Sequence, residues 1–399
     1  MIVKTLRNFD FKDKLVLLRT DINSPVVNGK IIDSPRIEWA AKTIRYLLSN
    51  NAKVVIIAHQ GRKGGKDFIV SLKQHAKLLS KYIGNKVEYV DGLFEEKAIV
   101  KIDELESGEA ILMKNVRYYE DELNLKKSRF YSFSKMFDIY VNDAFSVCHR
   151  NHGSIVIPPK EIPACIGEYF HNEISILSKY KENKKKSGLY LLGGEKAEDY
   201  LSLFNVLKNK NNKIIVSGVL ANLILISIGF NLGYENIWMR TQGYNKLMPK
   251  LRNFYKKYSN QIILPIDFAI GNKSIQSVKE RKEYLLSDIP FKGKIWDIGH
   301  ESINIFNKEI EKADFIFMKG PVGYSEVKYF KVGTVEILKK ISKLSKNKRV
   351  ISLIGGGHLT MSIRKYKIPN HFSHISLEGG ALIAYLSGKK LPGLDALKR

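Results

Sequence analysis

Basic side chains follow the end of a short apolar run in the segment 142–154. There an Asn-Asp turn leads into His149, Arg150 and His152. Arginine suits an anionic ligand, because its planar guanidinium can bind a carboxylate or a phosphate through two hydrogen bonds. In a chain this basic, the ordinary alternative is a solvated basic loop. The segment by itself leaves both interpretations open.

The same pattern recurs at other predicted strand ends of the first half, and the recurrence favours an anion site. The further donors are Arg19 to Asn23, Arg36, His59 to Arg62, and Asn115 to Arg117. In an open parallel sheet the carboxyl ends of the strands lie along one rim, and ligands bind there. Several donors at successive strand ends therefore predict an anion-binding rim.

Glycines occupy the corresponding places in the second half. They follow predicted strands at 193–194, 320–323 and 355–357, and another pair stands at 379–380. Glycine loops allow backbone amides to approach phosphates closely, and a helix N-terminus behind them favours negative charge. Glycine also makes ordinary turns, so one loop alone is weak evidence. None of the loops has the spacing of a Walker motif or of a dinucleotide fingerprint. The repeated loops indicate a nucleotide site of another kind.

The elements that must position these residues alternate between β-rich and helical patterns. Strands are predicted at 14–20, 53–58, 87–90, 109–113, 138–141, 189–192, 213–217, 262–264, 315–318 and 349–354. Helices are predicted at 37–48, 71–83, 166–180, 199–208, 220–228 and 332–344. This alternation is typical of an α/β fold with mostly parallel sheets covered by helices.

Composition limits the class of protein. The 399 residues carry a formal charge of +26 and are 44% hydrophobic, which favours a globular chain of two domains. The lysines are scattered in small groups, so composition does not favour nucleic-acid binding. The pattern has neither a secretory leader nor a membrane span, and the two cysteines, Cys148 and Cys165, lack metal or redox spacing. We expect a cytoplasmic protein, a monomer or a homodimer, that does not bind membranes.

Taken in order, these motifs resemble phosphoglycerate kinase across nearly the whole chain. The resemblance rests on Asp21-Ile22-Asn23, Arg36, His59-Gln60-Gly61-Arg62, Asn142-Asp143-Ala144-Phe145, His149-Arg150, Gly193-Gly194-Glu195-Lys196, Gly320-Pro321-Val322-Gly323, Gly355-Gly356-Gly357 and Leu391-Pro392-Gly393. The Asp-Ile-Asn-Ser-Pro form at Asp21 to Pro25 is similar to the archaeal branch. An ordered set of this size is highly specific.

The resemblance implies two Rossmann-like domains, each a mostly parallel sheet flanked by helices, around a central cleft. On this basis we expect an acid-binding domain at 1–165, completed by a tail at about 385–399. An interdomain helix at 166–180 and a nucleotide-binding domain at 181–384 complete the chain. The implied reaction is the reversible transfer of the acyl phosphate of 1,3-bisphosphoglycerate to ADP, which yields ATP and 3-phosphoglycerate. It requires Mg²⁺ with the nucleotide and closure of the domains, and we expect no phosphorylated histidine.

The resemblance also assigns roles residue by residue. Arg36 and Lys196 are the expected catalytic residues, which face the transferring phosphoryl group and stabilise its charge. The expected acid-binding residues are Asp21, Asn23, Arg36, His59, Arg62, Arg117 and Arg150. The expected nucleotide-binding residues are Gly194, Lys196, Gly218, Pro321, Glu326, Gly355, Gly356, Gly357 and His358. Positioning and cationic stabilisation of this kind are what phosphoryl transfer requires. No protein ligand for the metal is assigned.

Several positions depart from the family pattern, mostly in the nucleotide half. Tyr200 stands where bacterial and eukaryotic members have a second lysine, and His358 replaces an aspartate that helps to hold the metal nucleotide. Lys319 replaces an asparagine, and Glu378 a glycine. Neutral drift around backbone-mediated binding is one explanation. Our hypothesis is that Lys319 restores, beside the β-phosphate, the charge that is missing at position 200.

Two alternatives to the kinase assignment stay open on sequence alone. One is a non-catalytic relative that binds nucleic acid through its basic surface, and the other is a kinase for a different carboxylic acid. The arginine set argues against the first, because a nucleic-acid-binding module has no need of an acid pocket. The three tryptophans, Trp39, Trp238 and Trp296, are predicted to be packing residues and not nucleobase stackers.

Overall fold

The computed structural model describes residues 3–181, 187–274, 280–347, 349–377 and 379–398. Within it the chain divides into two compact units. The N-terminal unit comprises Met1–Ser175 and Lys389–Arg399, and the C-terminal unit comprises Ile176–Gly388. Glu378 lies outside the described residues, as does most of the polar stretch at which the nucleotide-binding domain was predicted to begin.

The N-terminal unit is built on a six-stranded parallel sheet with the strand order β5-β6-β4-β1-β7-β8. Its strands are β1 (Leu15–Thr20), β4 (Lys53–Ile57), β5 (Val87–Tyr89), β6 (Ala110–Leu112), β7 (Ile139–Asp143) and β8 (Ala164–Ile166), and a separate hairpin pairs β2 (Val26–Val27) with β3 (Lys30–Ile31). Its helices are α1 (Pro35–Ser49), α2 (Lys73–Ile83), α3 (Glu96–Asp103), α4 (Phe130–Ser134), α5 (Gly153–Val156), α6 (Pro158–Glu161), most of α7 (Glu168–Lys181) and, from the tail, α15 (Pro392–Ala396). One apolar cluster lies on each face of the sheet, because the buried central strands alternate their side chains between the two faces.

The C-terminal unit contains a second parallel six-stranded sheet, with the order β11-β10-β9-β15-β16-β17. Its strands are β9 (Gly188–Leu192), β10 (Lys213–Val216), β11 (Ile262–Ile263), β15 (Phe315–Lys319), β16 (Ile351–Gly355) and β17 (His374–Ser376). A three-stranded antiparallel sheet joins β12 (Asp267–Gly271), β13 (Lys282–Leu285) and β14 (Lys294–Ile298). The helices are α8 (Gly218–Ser227), α9 (Tyr234–Thr241), α10 (Met248–Tyr258), α11 (His300–Lys312), α12 (Val332–Lys346), α13 (Gly357–Lys365) and α14 (Gly380–Leu386).

The α/β class and the pair of mostly parallel sheets are confirmed, and one local prediction is wrong. The helix predicted at 199–208 is two 3-10 turns, Ala197–Tyr200 and Leu203–Lys208. The antiparallel sheet was not predicted. In the described part of the chain, no helix is long and apolar enough to span a bilayer.

Strand register brings the predicted functional segments together at the carboxyl edge of each sheet. In the N-terminal unit Arg19 of β1 is in register with Ile57 of β4 and with Asn142 of β7, so the segments after these three strands leave the sheet side by side. In the C-terminal unit Lys319 of β15 is in register with Leu192 of β9 and Gly355 of β16, which aligns the three glycine loops.

Candidate active site

Asp21, Asn23 and Arg36 meet just beyond β1. The Asp21 carboxylate forms an ion pair with the guanidinium of Arg36, at the start of α1. Asp21 also accepts a hydrogen bond from the backbone N–H of Asn23 at 3.0 Å, and the Asn23 amide oxygen accepts one from the backbone N–H of Gly61 at 2.7 Å. Residues from the ends of β1 and β4 and from the first turn of α1 are thus joined in one hydrogen-bonded group.

His59 is a neutral hydrogen-bond donor at the bottom of this rim. Burial lowers its pKa well below the ordinary value, and Arg19, Arg117 and Arg36 lower it further. Arg19 Nη2 lies 3.2 Å from His59 Nδ1. Because a guanidinium can only donate, Nδ1 must accept and the ring proton is on Nε2. His59 can therefore offer one N–H to an anion without carrying charge itself.

Arg117 and Arg150 are each close enough to Arg62 for its positive charge to lower their pKa values. Burial lowers the pKa of Arg117 to about 10, with further lowering from Arg19, Arg150 and Arg62. Burial and Arg62 lower the pKa of Arg150. Arg117 also donates to the Gly61 carbonyl oxygen, and the Arg150 Nε is a buried donor without a hydrogen-bond partner among the described residues. Like charges gathered in this way are stabilised by a bound anion.

A buried group beneath the rim was not among the predicted site residues. Arg19 is fully buried and its Nε donates to the Ser154 hydroxyl at 3.0 Å. Glu122, 1% exposed, accepts from the Ser154 backbone N–H at 2.9 Å and lies 3.2 Å from His152 Nδ1. Burial alone would raise the pKa of Glu122, but His152 and Arg19 together lower it. Glu122 is thus an ionised counter-charge that holds Arg19 and His152 in place.

In the C-terminal unit the glycine loops after β9 and β15 pack directly on each other. The Gly193 N–H donates to the Lys319 carbonyl at 2.9 Å. Gly320 has a φ of 78°, and a side chain there would overlap the Gly193 carbonyl oxygen, so both its conformation and its contact require glycine. Tyr200, 3% exposed, donates its hydroxyl to the Gly193 carbonyl at 2.7 Å, and the same hydroxyl lies 3.2 Å from the Lys319 carbonyl.

A cavity of about 240 Å³ opens beside these loops. Gly194, Gly218 and Pro321 form its loop side, and Glu326 and His358 lie on its wall with an Nδ1 to Oε1 distance of 2.7 Å. Gly218 starts α8 with a φ of 57°, and a side chain there would come within 2.7 Å of the Gly194 carbonyl oxygen. Three predicted nucleotide-binding loops and two predicted side chains therefore line one cavity within this unit.

Other predicted nucleotide residues lie nearby in the fold without lining the cavity. Gly355 ends β16, and Gly356 and Gly357 begin α13, so their amides stand at a helix N-terminus one residue before His358. Lys196 is exposed in the loop after β9. The described residues contain no group of three or more His, Cys, Asp or Glu side chains placed to hold a metal.

The three tryptophans lie in two kinds of environment. Trp39 stacks on Tyr169 at a centroid distance of 4.8 Å, as a packing residue would. Trp238 and Trp296 line the cavity instead and are both partly exposed. The Lys294 ammonium lies 4.0 Å from the Trp238 ring centre and 4.5 Å from that of Trp296, so the three side chains form one wall.

Comparison with known proteins decides the family. The family model described as phosphoglycerate kinase matches residues 6–389. The phosphoglycerate kinase of Archaeoglobus fulgidus is 38% identical over 99% of this chain and 96% of its own length, and that of Methanosarcina mazei is 37% identical over 99% and 94%. The crystal structure of the Pyrococcus horikoshii phosphoglycerate kinase superposes with a TM-score of 0.89 at 34% identity, covering 99% of this chain and 98% of that one. The Coxiella burnetii structure gives 0.81 at 28%, covering 99% of both chains.

The chain belongs to the phosphoglycerate kinase family. It is a glycolytic phosphotransferase, and the similarity to archaeal members agrees with the archaeal form of the sequence motifs. Neither the nucleic-acid-binding alternative nor a different carboxylic acid gains support from any of these comparisons.

The side chains at positions 200, 319 and 358, where the sequence departs from the family pattern, all have neighbours in the structure. The Tyr200 hydroxyl connects the backbones of two glycine loops. The tyrosine therefore has a structural role at this position, besides lacking the charge of a lysine. His358 is paired with Glu326, the carboxylate expected near the ribose. Lys319 ends β15 with its ammonium beside Gly379, the residue before α14.

Proposed function

We propose that the N-terminal rim binds 3-phosphoglycerate and 1,3-bisphosphoglycerate. The observation that carries this proposal is the cluster of five arginines that includes His59, namely Arg19, Arg36, Arg62, Arg117 and Arg150. Asp21 forms an ion pair with Arg36, and the charge of Glu122 acts on Arg19. Such a cluster keeps an excess of positive charge that a ligand with a carboxylate and a phosphate would neutralise. Arg62, Arg117 and Arg150 bind the 3-phosphate, and Asp21 and Asn23 bind the hydroxyl and carboxyl end.

Arg36 faces the phosphoryl group that moves. Its ion pair with Asp21 fixes the guanidinium beside the rim, so the positive charge is in place before the reaction. A preorganised cation costs little reorganisation when charge develops on the transferring group. His59 contributes its Nε2 proton as a neutral donor. No covalent nucleophile is needed, because an acyl phosphate is already an activated donor.

The cavity of the C-terminal unit and its glycine loops bind ADP and ATP. Support comes from the convergence of Gly194, Gly218, Pro321, Glu326 and His358 on one space, and from the triple-glycine start of α13. Backbone N–H groups of these loops bind phosphate oxygens, Glu326 accepts from the ribose, and Lys196 steadies the transferring group.

Mg²⁺ accompanies the nucleotide. The groups at the loops are amide and ammonium donors, which suit phosphate oxygens, while magnesium prefers oxygen ligands. These residues therefore fit a metal carried mainly by the phosphates, and His358, whose Nδ1 is engaged with Glu326, is not assigned as a ligand. When bound, the ion neutralises charge on the phosphates and orients them.

A coupled assay with 3-phosphoglycerate and magnesium ATP tests these roles. Arg36→Ala should lower kcat by at least about a hundredfold, the scale of losing one preorganised charge partner. Arg45→Ala is the matched control, because Arg45 is an exposed arginine of the same helix whose Nη1 donates to the Tyr82 carbonyl at 2.9 Å. Equal rates for both variants would contradict the role of Arg36.

Closure, assembly and location follow from the same proposal. The two units approach each other when both substrates bind, and X-ray scattering should show a smaller radius of gyration with 3-phosphoglycerate and nucleotide together than with either alone. An unchanged radius at saturation would contradict closure.

We propose a cytoplasmic enzyme that is a monomer or a homodimer, and light scattering after size exclusion distinguishes the two.

A further inference from the structure

Gln60 is a fully buried residue of the N-terminal rim whose side chain has no part in the roles proposed above. Its amide oxygen accepts from the backbone N–H of Ser24 at 2.8 Å, and its amide nitrogen donates to the Ser24 carbonyl at 2.9 Å. The same nitrogen donates to the Asp67 carbonyl at 3.0 Å. The backbone of Ser24 fixes the direction of the amide, because its N–H must face the amide oxygen and its carbonyl the amide nitrogen. Gln60 thus joins the segment after β1 to the loop that carries Arg62.

His75 of α2 supplies the remaining hydrogen bond of the Gln60 amide. Its Nε2 lies 3.0 Å from the Gln60 amide oxygen, and both side chains are buried. Since that oxygen can only accept, the ring proton of His75 is on Nε2. Burial lowers the pKa of His75 to about 4, and its Nδ1 has no hydrogen-bond partner among the described residues. His75 is therefore a neutral donor at physiological pH, and the Gln60 amide forms every hydrogen bond that it can form.

The Gln60 amide lies next to the atoms that shape the acid site. The backbone N–H of Gly61, one residue later, donates to Asn23 Oδ1 at 2.7 Å. Asn23 in turn precedes Ser24, whose backbone holds both sides of the Gln60 amide. The two segments are therefore joined at two successive residues of each. A rotation of the Gln60 amide would open this junction and move Asn23 relative to Arg62.

We propose that His75 is a positioning residue for the acid substrate, which holds segments 21–24 and 59–62 in register through Gln60. Neither side chain is assigned a contact with the substrate. The hydrogen bond from His75 keeps the Gln60 amide from rotating away from segment 21–24, so the donors of both segments have fixed positions before the substrate binds. Preorganisation of this kind increases affinity, because less conformational entropy is lost on binding. The inference rests on the proposed binding of 3-phosphoglycerate at the rim.

Steady-state kinetics with 3-phosphoglycerate and magnesium ATP test the inference. Gln60→Met keeps the length of the side chain and deletes its hydrogen bonds, so we expect the KM for 3-phosphoglycerate to rise by at least about tenfold. His75→Leu deletes one of these bonds, and we expect a rise of about fivefold. In both variants the KM for magnesium ATP should stay within about twofold of wild type, because the cavity proposed for the nucleotide belongs to the C-terminal unit. An unchanged KM for 3-phosphoglycerate in both variants would overturn the inference.

A rescue variant and a double variant separate positioning from a merely structural role. His75→Gln restores an N–H donor at about the place of Nε2, so the KM for 3-phosphoglycerate should return to within about twofold of wild type. If His75 acts through Gln60, adding His75→Leu to Gln60→Met should raise this KM no further. A KM as high in His75→Gln as in His75→Leu, or additive effects in the double variant, would overturn the inference.

Gln74→Met is the matched control. Gln74 is the neighbour of His75, and its side chain accepts from the Ile31 N–H at 3.1 Å and donates to the Gly29 carbonyl at 3.1 Å. Losing these bonds should lower the melting temperature and leave the KM for 3-phosphoglycerate unchanged, because they connect α2 to the hairpin and not to the rim. A KM raised as much in Gln74→Met as in Gln60→Met would show a general structural effect and overturn the inference.

Two measurements on the wild-type enzyme keep the inference testable if Gln60→Met or His75→Leu does not fold. Nitrogen NMR of the isotope-labelled enzyme should show His75 neutral with its proton on Nε2 at neutral pH, the signals being identified by their loss in His75→Gln. A proton on Nδ1 would overturn the inference, because His75 would then not donate to Gln60. Calorimetric titration with 3-phosphoglycerate separates the two proposals. No binding by the wild-type enzyme would contradict the proposed function and the inference with it, whereas wild-type binding that stays unchanged in the variants would overturn the inference alone.

Discussion

Substitution of Tyr200 by phenylalanine should loosen the glycine loops after β9 and β15 without changing the shape of the site. The hydroxyl is buried, donates to the Gly193 carbonyl at 2.7 Å and lies 3.2 Å from the Lys319 carbonyl. Phenylalanine keeps the ring and its packing and deletes only this donor. Losing one net hydrogen bond costs about 0.5–1.5 kcal/mol, and a carbonyl left buried and unpaired adds to that. We therefore expect a loss of about 1–2 kcal/mol in the free energy of unfolding.

The assay separates stability from binding. A loss of 1 kcal/mol lowers the melting temperature of a unit of this size by roughly 2–4 °C. Unfolding can be followed through the fluorescence of Trp238 and Trp296, which both belong to the C-terminal unit. The KM for ATP should rise by about five- to tenfold while the KM for 3-phosphoglycerate stays the same, because only the glycine loops are released. Tyr284→Phe, an exposed tyrosine of the same unit, is the matched control.

A second substitution at position 200 tests whether the tyrosine matters for the hydrogen bond of its hydroxyl or only because it lacks the charge of a lysine. If the residue mattered only as an absent lysine, Tyr200→Lys would strengthen nucleotide binding. The burial of this position predicts the opposite, because a desolvated ammonium without a counter-charge is unfavourable. Tighter nucleotide binding by Tyr200→Lys, or unchanged stability and KM in Tyr200→Phe, would refute the role assigned to the hydroxyl.

Three further predictions follow from other positions. Glu122→Gln should lower the free energy of unfolding in urea by about 3 kcal/mol, because it leaves Arg19 without its buried counter-charge. Since the pKa of Glu122 is lowered in the folded state, the difference in unfolding free energy between wild type and variant should shrink as the pH falls. A difference that stays constant with pH would contradict this prediction. Burial raises the pKa of Asp143 to about 7, so its ionisation should reduce wild-type stability as the pH rises from about 4 to 7. Asp143→Asn should flatten that slope over the same pH range, and an unchanged slope would count against it. Lys319→Ala should weaken nucleotide affinity by more than about fivefold if Lys319 compensates for the charge missing at position 200, whereas a change within twofold would refute compensation.

The basic rim of the N-terminal unit could be predicted from sequence because its donors directly follow buried strands. The strand β1 is apolar up to the residue before Arg19, and β7 ends in the Asn-Asp pair, so period and composition located the end of β1 at Thr20 and the end of β7 two residues before Asp143. Parallel strands then leave their carboxyl ends at one edge, and the register of Arg19 with Asn142 brings the donors together. Local pattern and topology together were sufficient.

Glu122 could not be predicted in the same way. It follows two other acidic residues in a short 3-10 turn, and nothing local shows that the third of three carboxylates is buried under Arg19. Its partner Ser154 is 32 residues later. The antiparallel sheet was missed for a related reason: β13 is exposed along its whole length and lacks the apolar alternation by which a strand is recognised.

In the proposed function the two units bind anions by different physical means, and this difference would account for departures that lie mostly in the nucleotide half. The N-terminal rim uses charged side chains that constrain one another, so a change at Arg36, Arg117 or Arg150 alters the charge of the whole cluster. The C-terminal loops use backbone amides whose positions are fixed by close glycine contacts. Side chains around such loops can change if the loop geometry is kept, as Tyr200 keeps it through its bond to Gly193. In the N-terminal unit selection should therefore retain the arginines themselves, because their charge is what the rim requires. In the C-terminal unit it should retain any side chain that keeps the backbone of the glycine loops in place.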